Sequence, residues 1–355
     1  DQEKLLDNIR FMQSYADKNH VTLRPHTKTH KMPYLAKLQE EYGAKGIAVA
    51  KVGEAEVMAA NGLKDIFIAN EIVGMPKLMR IMELAKTIDI SFGVDSIPQV
   101  NMVEEAFEGA EKKAQVLIEI EVGENRSGVI EEKDFIDLVK HIKGCKNINL
   151  KGIFSHEGHC YSARDVDHCR ELFMESQRRT LCFAKITEEL GCKLETMSIG
   201  STPSSMFDFE IMEGITELRV GTYILMDASQ GNAIGTYDRC AATVLTTVIS
   251  RPTDERVITD VGAKGLTMQT RNKGICATKG LGVIKGYKDA YIHEVYDEHA
   301  IIYNKELRDK VKVGDKLEII PNHICPVCNL YDKAYLVSQG KVVGEIPISC
   351  RGKLR

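Results

Sequence analysis

The chain has 355 residues, 43% of them hydrophobic and 28% charged, with a formal net charge of −4 at pH 7. This composition is typical of a globular protein, and the length allows two domains. The acidic balance argues against a nucleic-acid-binding surface, and no apolar run is long enough to span a membrane, so we expect neither kind of partner. Ten irregularly spaced cysteines and the lack of a signal-peptide pattern indicate reduced thiols in a cytoplasmic protein.

The first two thirds of the sequence alternate between apolar, strand-like runs and amphipathic helical segments. The first helical segment, residues 4–16, carries Leu5, Ile9, Met12 and Ala16 on one side. Further helices are predicted at 53–62, 75–86, 134–144 and 166–190. Strands are predicted at 22–28, 46–51, 65–70, 89–94, 116–122, 150–156, 196–200 and 217–225. Eight such units favour a (β/α)8 TIM-like barrel, with an open doubly wound sheet as the alternative.

Beyond about residue 235 the pattern changes to short β-prone runs separated by turn signals, with little helical periodicity. Examples are TVLTTVIS (243–250), AYIHEVY (290–296) and KLEIIP (316–321). The segment Gly231–Tyr237 is polar and contains glycine, as expected of a linker. The sequence therefore predicts a barrel over residues 1–233 and a smaller all-β domain over residues 234–355.

The end of the first predicted strand is unusually basic. It reads RPHTKTHK at residues 24–31, with three cationic side chains and two histidines. In a barrel, active-site residues lie at the C-terminal ends of the strands, although a solvated basic turn is the alternative. The charges of Arg24 and Lys31, with partial desolvation, would lower the pKa of Lys28. A lysine with a lowered pKa is suited to Schiff-base chemistry.

The last two predicted strands end in small and hydroxyl residues. SIGSTPSS (198–205) follows the seventh strand, and RVGTY (219–223) closes the eighth. Backbone N–H groups and hydroxyls at these two places commonly hold a phosphate in barrels. A cofactor that is both an aldehyde and a phosphate ester would satisfy these loops and Lys28 together.

Six segments occur in the order known from one family of enzymes. They are RPHTKTHK, GENRSG (123–128), HEGHCY (156–161), GSTPS (200–204), RVGTY and PNHICP (321–326). Through them essentially the whole chain resembles the D-threonine aldolase and D-serine dehydratase family. That family consists of fold-type III pyridoxal-phosphate enzymes related to alanine racemase, in which a barrel precedes a β domain.

The resemblance implies a set of cofactor-binding residues. Lys28 would form the Schiff base with pyridoxal 5'-phosphate, and Arg126, being always charged, would keep the pyridine nitrogen unprotonated. His156 and Tyr161 would contact substrate or cofactor and are candidate catalytic residues. A capping arginine and a structural histidine are the alternatives for Arg126 and His156. The phosphate would be bound by Gly200, Ser201, Thr202, Gly221, Thr222 and Tyr223.

The second domain carries a candidate metal site. PNHICPVC presents His323, Cys325 and Cys328 within six residues, and imidazole with thiolate favours zinc. A structural zinc site needs four ligands, for which Cys240 or Cys276 would be required. The resemblance places Zn2+ on His323 and Cys325, with positions left open for water and substrate. Cys328 is predicted to be a buried thiol.

The resemblance implies a homodimeric lyase that acts on a small D-amino acid bearing a β-hydroxyl group. The His-x-Cys pair resembles dehydratases of D-serine or D-threo-3-hydroxyaspartate, which eliminate water and ammonia; the aldolases characteristically have His-x-Asp. The segment Asn329–Asp332 instead resembles the aldolases, which release glycine and an aldehyde. We predict a dehydratase, with an aldolase as the alternative. An amino-acid racemase would use a second base and no metal, and a non-catalytic pyridoxal-phosphate carrier would lack the β domain.

Two features depart from the family pattern. The chain begins at Asp1 without the short strand that usually precedes the first helix, so we expect an N-terminal piece to be missing. The segment GLTMQTRNKG (265–274) lies where relatives often carry an acidic residue. This second difference bears on substrate preference rather than on cofactor binding.

Overall fold

The computed structural model describes all 355 residues and contains the predicted barrel. Eight parallel strands form one sheet in the order β1-β8-β7-β6-β5-β4-β3-β2. Their bounds are β1 Thr22–Leu23, β2 Ile47–Val49, β3 Asp65–Glu71, β4 Asp89–Val94, β5 Ala114–Ile120, β6 Ile148–Ser155, β7 Thr196–Ile199 and β8 Glu217–Leu218. Nearly continuous apolar burial along β2, β4 and β5 is expected of parallel strands covered on both faces.

The barrel closes between its first and second strands. His26 and Ala48 form a parallel bridge just beyond β1, with Thr27 N–H donating to Ala48 C=O and Ala48 N–H donating to Pro25 C=O, both at 2.8 Å. We call this pairing of residues 24–27 with residues 46–48 the barrel seam. Closure by the seam decides in favour of a barrel over an open sheet.

Helices follow the strands around the outside of the barrel. Their bounds are α1 Gln2–Lys18, α2 Pro33–Glu41, α3 Val52–Ala60, α4 Met75–Ala85, α5 Ile97–Ala106, α6 Glu132–Gly144, α7 Val166–Glu189, α8 Thr202–Ser205 and α9 Ala228–Ile234. The predicted helices are therefore confirmed, with ends shifted by a few residues. The eighth strand is shorter than the predicted 217–225, because a 3-10 turn at Thr222–Ile224 follows Glu217–Leu218.

The rest of the chain is mainly antiparallel sheet, as predicted. Six strands are ordered β11-β14-β9-β10-β13-β12, and β15 and β16 form a separate hairpin. Their bounds are β9 Val244–Ser250, β10 Arg256–Thr259, β11 Gly282–Ile284, β12 Ile292–Val295, β13 Ala300–Tyr303, β14 Lys316–Pro321, β15 Lys333–Ser338 and β16 Lys341–Pro347. Three short helices that periodicity does not reveal interrupt the sheet: α10 Ala263–Leu266, α11 Lys305–Lys310 and α12 Ile324–Cys328.

The two parts of the chain share one hydrophobic core. A cluster of 42 buried residues includes Leu5 and Leu218 of the barrel together with Val248 and Ile324 of the antiparallel part. A second cluster of 38 residues fills the space between the barrel strands and the helices α3–α7. None of the helices combines the length and the apolar character needed to span a bilayer. The continuous core fixes the antiparallel part against the end of the barrel at which the strands terminate.

Candidate active site

A cavity of about 240 Å³ lies where the barrel strands end and the antiparallel part begins. Its lining comes from loops after several strands and from helix α12. Eleven of the residues predicted from sequence line it: Lys28, Arg126, His156, Tyr161, Gly200, Ser201, Thr202, Gly221, Thr222, His323 and Cys325. The fold thus brings together residues that are up to about 300 positions apart in the chain.

Lys28 is the lysine of the basic segment that faces the cavity. Its neighbours are occupied elsewhere: Arg24 pairs with Asp65 and Glu217, and Lys31 Nζ lies 2.6 Å from Glu54 Oε1. Burial lowers the pKa of Lys28 and the charges of Arg126 and Arg219 add to that shift, whereas negative charge on the Cys325 sulfur would oppose it. A larger fraction of neutral amine is therefore available at neutral pH, as Schiff-base formation requires.

The loops after β7 and β8 form an anion cradle with little room for side chains. Gly200 has φ +147°, and a Cβ there would lie 2.7 Å from the carbonyl oxygen of Arg219. A Cβ on Gly221 would lie 2.8 Å from Thr29 Oγ1. The Thr202 hydroxyl is buried without a hydrogen-bond partner. An unpartnered buried hydroxyl between two obligatory glycines fits a bound phosphate group.

Tyr223 is a predicted phosphate-site residue whose side chain does not line the cavity. Its hydroxyl accepts a hydrogen bond of 2.7 Å from Gln39 Nε2 and is fully enclosed, so burial raises the pKa of the phenol. Successive residues of the 3-10 turn Thr222–Ile224 point in different directions, and only Thr222 faces the cavity. The side chain of Tyr223 therefore does not face the cavity, and a contribution of this residue to the phosphate site stays a prediction.

Arg126 lies among carboxylates that the sequence did not single out. Its guanidinium nitrogens are 3.5 Å from Glu119 Oε1 and 3.3 Å from Glu124 Oε2. Glu119 also accepts a hydrogen bond of 2.8 Å from the Ser127 hydroxyl. Behind it, burial and the contact with Glu119 raise the pKa of Glu71 to about 9. Arg126 thus lines the cavity together with the two carboxylates that it pairs with.

His156 and Tyr161 follow β6 and stand on one side of the cavity. His156 Nδ1 is 2.8 Å from the carbonyl oxygen of Gly200, and its ring is therefore oriented by the cradle. Burial and the nearby charge of Lys28 lower the pKa of His156 well below its usual range, so the ring is neutral at pH 7. Burial raises the pKa of the Tyr161 phenol, which therefore keeps its proton.

His323 and Cys325 bring two metal-binding atoms to the side of the cavity formed by the antiparallel part. His323 precedes helix α12, and its Nδ1 is buried without a partner. The Cys325 sulfur lies 3.2 Å from Thr29 Oγ1 and 3.7 Å from Thr222 Oγ1. No group of three or more His, Cys, Asp or Glu side chains is arranged to hold a metal ion. An orphaned imidazole nitrogen beside a thiol is a donor set that fits zinc with open positions.

The remaining cysteines do not belong to this site. All ten are free of disulfide bonds, and Cys328 is buried outside the cavity, as predicted. Cys240 and Cys276 are likewise buried and do not line it. Burial raises the pKa of Cys276 and of Cys240 to about 12 each, so these thiols are inert.

Two arginines that line the cavity, Arg219 and Arg271, were not predicted as site residues from the sequence. Arg219 stands within RVGTY; it donates a hydrogen bond of 2.8 Å to the carbonyl oxygen of Ser155, and its guanidinium carbon is 5.1 Å from the ring centre of Phe154. Its position at the end of a strand was the available signal. Arg271 belongs to the irregular segment between β10 and β11, where periodicity gives no signal.

This architecture matches known family models over most of the chain. Residues 1–229 match the alanine racemase N-terminal domain, and residues 241–337 match the serine dehydratase domain. The chain belongs to this alanine racemase-like family. Membership implies pyridoxal phosphate as the cofactor, in agreement with the cradle and Lys28, and the enzyme class is that of a pyridoxal-phosphate-dependent lyase.

Named relatives cover nearly the whole chain. A D-threonine aldolase from an Arthrobacter species is 32% identical over 97% of this chain and 89% of its own. A D-threo-3-hydroxyaspartate dehydratase from a Delftia species is 27% identical over 92% of this chain and 89% of its own. Among solved structures, D-threonine aldolase from Filomicrobium marinum superimposes with a TM-score of 0.91 at 27% identity, covering 100% of this chain and 95% of that one. These relatives confirm the family predicted from the motifs.

Proposed function

We propose that the protein is a pyridoxal-phosphate- and zinc-dependent lyase that removes water and ammonia from D-amino acids with a β-hydroxyl group. The observation that carries the proposal is that Lys28, His323 and Cys325 line one cavity. A base for the α-proton and two metal donors are thereby brought to one space that accommodates a small molecule.

The cofactor would be held by the groups already described. The Thr202 hydroxyl and the backbone beside Gly200 and Gly221 would bind its phosphate, and Arg126 would face the pyridine nitrogen. When bound, pyridoxal phosphate supplies an electron sink for the bond that breaks at the α-carbon. The permanent charge of Arg126 would disfavour protonation of a pyridine nitrogen beside it and would so moderate the electron sink. Activation of the β-hydroxyl group then becomes correspondingly important.

Lys28 would move the α-proton. Its lowered pKa favours the free amine, which would accept the proton from the α-carbon of a bound substrate. The β-hydroxyl group departs as the electron pair of the broken C–H bond forms the α,β double bond. One water leaves and one water is consumed when the resulting enamine hydrolyses, so the net products are a 2-oxo acid and ammonia.

His323 and Cys325 would hold the metal ion. Zinc bound there supplies a Lewis acid that makes hydroxide a better leaving group. With two protein ligands, coordination positions remain for the substrate hydroxyl and for water. The burial that lowers the pKa of His323 keeps its imidazole neutral and able to bind a metal at neutral pH.

Aldol cleavage is the second candidate, because the D-threonine aldolase from Arthrobacter is 32% identical to this chain. In that reaction loss of the β-hydroxyl proton breaks the Cα–Cβ bond and yields glycine and an aldehyde. The aldolase-like segment Asn329–Asp332 does not strengthen this candidate, since Asp332 is exposed and pairs with Arg351 at 2.7 Å. We favour dehydration over aldol cleavage because both metal donors, including the Cys325 thiol, face the cavity.

Racemisation is not favoured by the lining of the cavity. A racemase of this type needs a second base, commonly a tyrosine from the β domain. The tyrosine that lines the cavity, Tyr161, belongs to the barrel, and no tyrosine of residues 234–355 lines it. A carrier without catalytic function would have no use for the His323–Cys325 pair.

The test is a product analysis with D-threonine, using protein loaded with pyridoxal phosphate and zinc. We expect 2-oxobutyrate and ammonia. Glycine and acetaldehyde would establish the aldolase instead and would show that the thiol ligand does not decide the reaction. L-threonine is the control: a D-specific lyase leaves it unchanged, whereas a racemase converts it into D-threonine.

A further inference from the structure

One guanidinium in the active-site cavity has neither an anionic partner nor a hydrogen-bond acceptor for its side chain within the chain. Arg126 pairs with Glu119 and Glu124, and Arg219 donates to Ser155. Arg271 forms no ion pair, and its Nε is buried without a hydrogen-bond partner. A guanidinium that is half-buried at a cavity wall and unpaired is a binding site for an anion that enters from solvent.

The backbone around Arg271 is held in place from three sides. Its own N–H donates to Thr278 Oγ1 at 3.1 Å, and the N–H of Thr278 donates to the Arg271 carbonyl oxygen at 2.8 Å. Ile275 N–H donates to the carbonyl oxygen of Ala163 at 2.8 Å, next to the Tyr161 turn. Gly274 sits against the barrel so tightly that a Cβ would lie 2.4 Å from the backbone of Ser162.

The side chain is fixed as well. The guanidinium carbon of Arg271 is 4.1 Å from the ring centre of Tyr161, a stacked arrangement that orients the planar fork. The same loop is tied to the metal-binding segment, because Asn322 Nδ2 donates to the carbonyl oxygens of Gln269 and Gly280 at 3.2 and 2.8 Å. Arg271 is therefore positioned next to the residues that would hold the β-hydroxyl group through zinc.

We propose that Arg271 binds a carboxylate on the β-carbon of the substrate, so that the preferred substrates are D-β-hydroxy amino acids with a second carboxyl group. This inference rests on the proposed function. Every amino acid carries an α-carboxylate, so that group cannot distinguish substrates. A metal on His323 and Cys325 would hold the β-hydroxyl group, and a second substituent of the β-carbon would then lie on the side of the cavity to which Arg271 belongs. Arg271 is thus a specificity-determining residue that supplies charge and a bidentate fork to the distal carboxylate.

The experiment measures kcat/KM for D-3-hydroxyaspartate and for D-serine with the wild-type holoenzyme and with the Arg271→Gln holoenzyme. We expect kcat/KM for D-3-hydroxyaspartate to fall roughly 10- to 100-fold, mainly through KM, and that for D-serine to change by less than about threefold. Arg271→Lys should recover only part of the loss, because the charge returns without the fork. Arg256→Gln is the matched control, since Arg256 also has a buried Nε without a partner but lies outside the cavity.

Equal losses for both substrates would place Arg271 on the α-carboxylate and overturn the proposal, as would no loss for either. Binding measured by the change in cofactor absorbance with D-aspartate and with D-alanine, which lack a β-hydroxyl group, separates this inference from the proposed function. We expect D-aspartate to bind more tightly than D-alanine and to lose that advantage in Arg271→Gln. If the holoenzyme turns over neither hydroxy amino acid yet keeps this binding preference, the proposed reaction fails and the role of Arg271 stands.

Discussion

The sulfur of Cys325 lies 3.2 Å from the hydroxyl of Thr29, the residue that follows Lys28. A metal donor of the antiparallel part thus touches the loop that presents the Schiff-base lysine. A displacement of helix α12 would therefore shift the loop that carries Lys28. A change in the loop after β1 would likewise shift the metal donor Cys325. We therefore expect cofactor binding and metal binding to be energetically coupled.

Replacing Lys28 tests the central assignment. In Lys28→Ala we expect loss of the visible absorbance of the Schiff base and a decrease in turnover of at least about 1,000-fold, because both the covalent anchor and the base disappear. Absorbance spectra of protein reconstituted with pyridoxal phosphate provide the measurement. Lys31→Arg is the control, since it removes the other lysine of the motif and keeps a cation beside Glu54. An unchanged spectrum in Lys28→Ala would remove the assignment.

Removing the metal should abolish the reaction and leave the cofactor in place. After exhaustive chelation we expect turnover to fall about 100-fold or more and to return with zinc, because the leaving group has lost its Lewis acid. His323→Ala and Cys325→Ser should lower the zinc content in elemental analysis. Cys328→Ser should retain zinc, since Cys328 lies outside the cavity. Full activity of a zinc-free protein would contradict the mechanism.

The unpartnered hydroxyl of Thr202 should contribute to cofactor affinity. We expect Thr202→Val to weaken pyridoxal-phosphate binding roughly tenfold, about 1.4 kcal/mol, through loss of one hydrogen bond to a charged group. Fluorescence or absorbance titration of the cofactor-free protein measures the effect. Ser205→Ala is a suitable control, because the Ser205 hydroxyl on the same short helix donates to the Ser201 carbonyl oxygen and not to the cavity.

Glu71 should make stability depend on pH. Its pKa is raised from 4.5 to about 9 by burial and by Glu119, so the folded chain keeps a proton that the unfolded chain releases. This contribution to stability is complete below about pH 4.5 and is lost as the pH rises through about 9, by up to about 1.4 kcal/mol per pH unit.

Glu71→Gln removes that dependence, because the amide stays neutral and still donates to Glu119. Urea denaturation at about pH 6 and about pH 8.5 should show the variant gaining stability relative to the wild type at the higher pH. Glu83→Gln on the exposed face of α4 should leave the pH dependence unchanged. If the free energies of unfolding of Glu71→Gln and of the wild type change by the same amount between these two pH values, Glu71 is already ionised in the folded protein over that range.

A homodimer is expected from the family resemblance, since active sites of fold-type III enzymes are generally completed across a dimer interface. Analytical ultracentrifugation of the active holoenzyme should give the mass of two chains, about twice 39.6 kDa. A fully active monomer would contradict this prediction.

The barrel and most of its site could be predicted because buried parallel strands are recognisable in the sequence as apolar runs. The C-terminal ends of these strands all lie at one face of the barrel. The motifs of Lys28, Gly200 and Gly221 could therefore be assigned to one place, whereas His323 and Cys325 were assigned to the site through the family resemblance. The boundary at residues 233 and 234 stays a prediction, since one continuous hydrophobic core spans it.

Other parts of the site depend on contacts that no local pattern encodes. Glu119 lies in β5, which is buried along most of its length, and no local pattern indicates that this acidic residue pairs with Arg126. Arg271 reaches the cavity through backbone bonds to distant segments. The side chain of Tyr223 points away from the face that Thr222 occupies, because both residues belong to a three-residue turn whose course no local pattern predicts.

The barrel seam also has a consequence for how mutational data on this enzyme will read. Residues 24–27 close the barrel, and the same short segment presents Lys28. A saturation scan scored by turnover alone will find nearly every position from 24 to 30 intolerant, for two unrelated reasons. Scoring the abundance of each variant beside its turnover would separate them: defects at the seam should deplete the protein, whereas loss of the lysine should leave abundant, colourless enzyme.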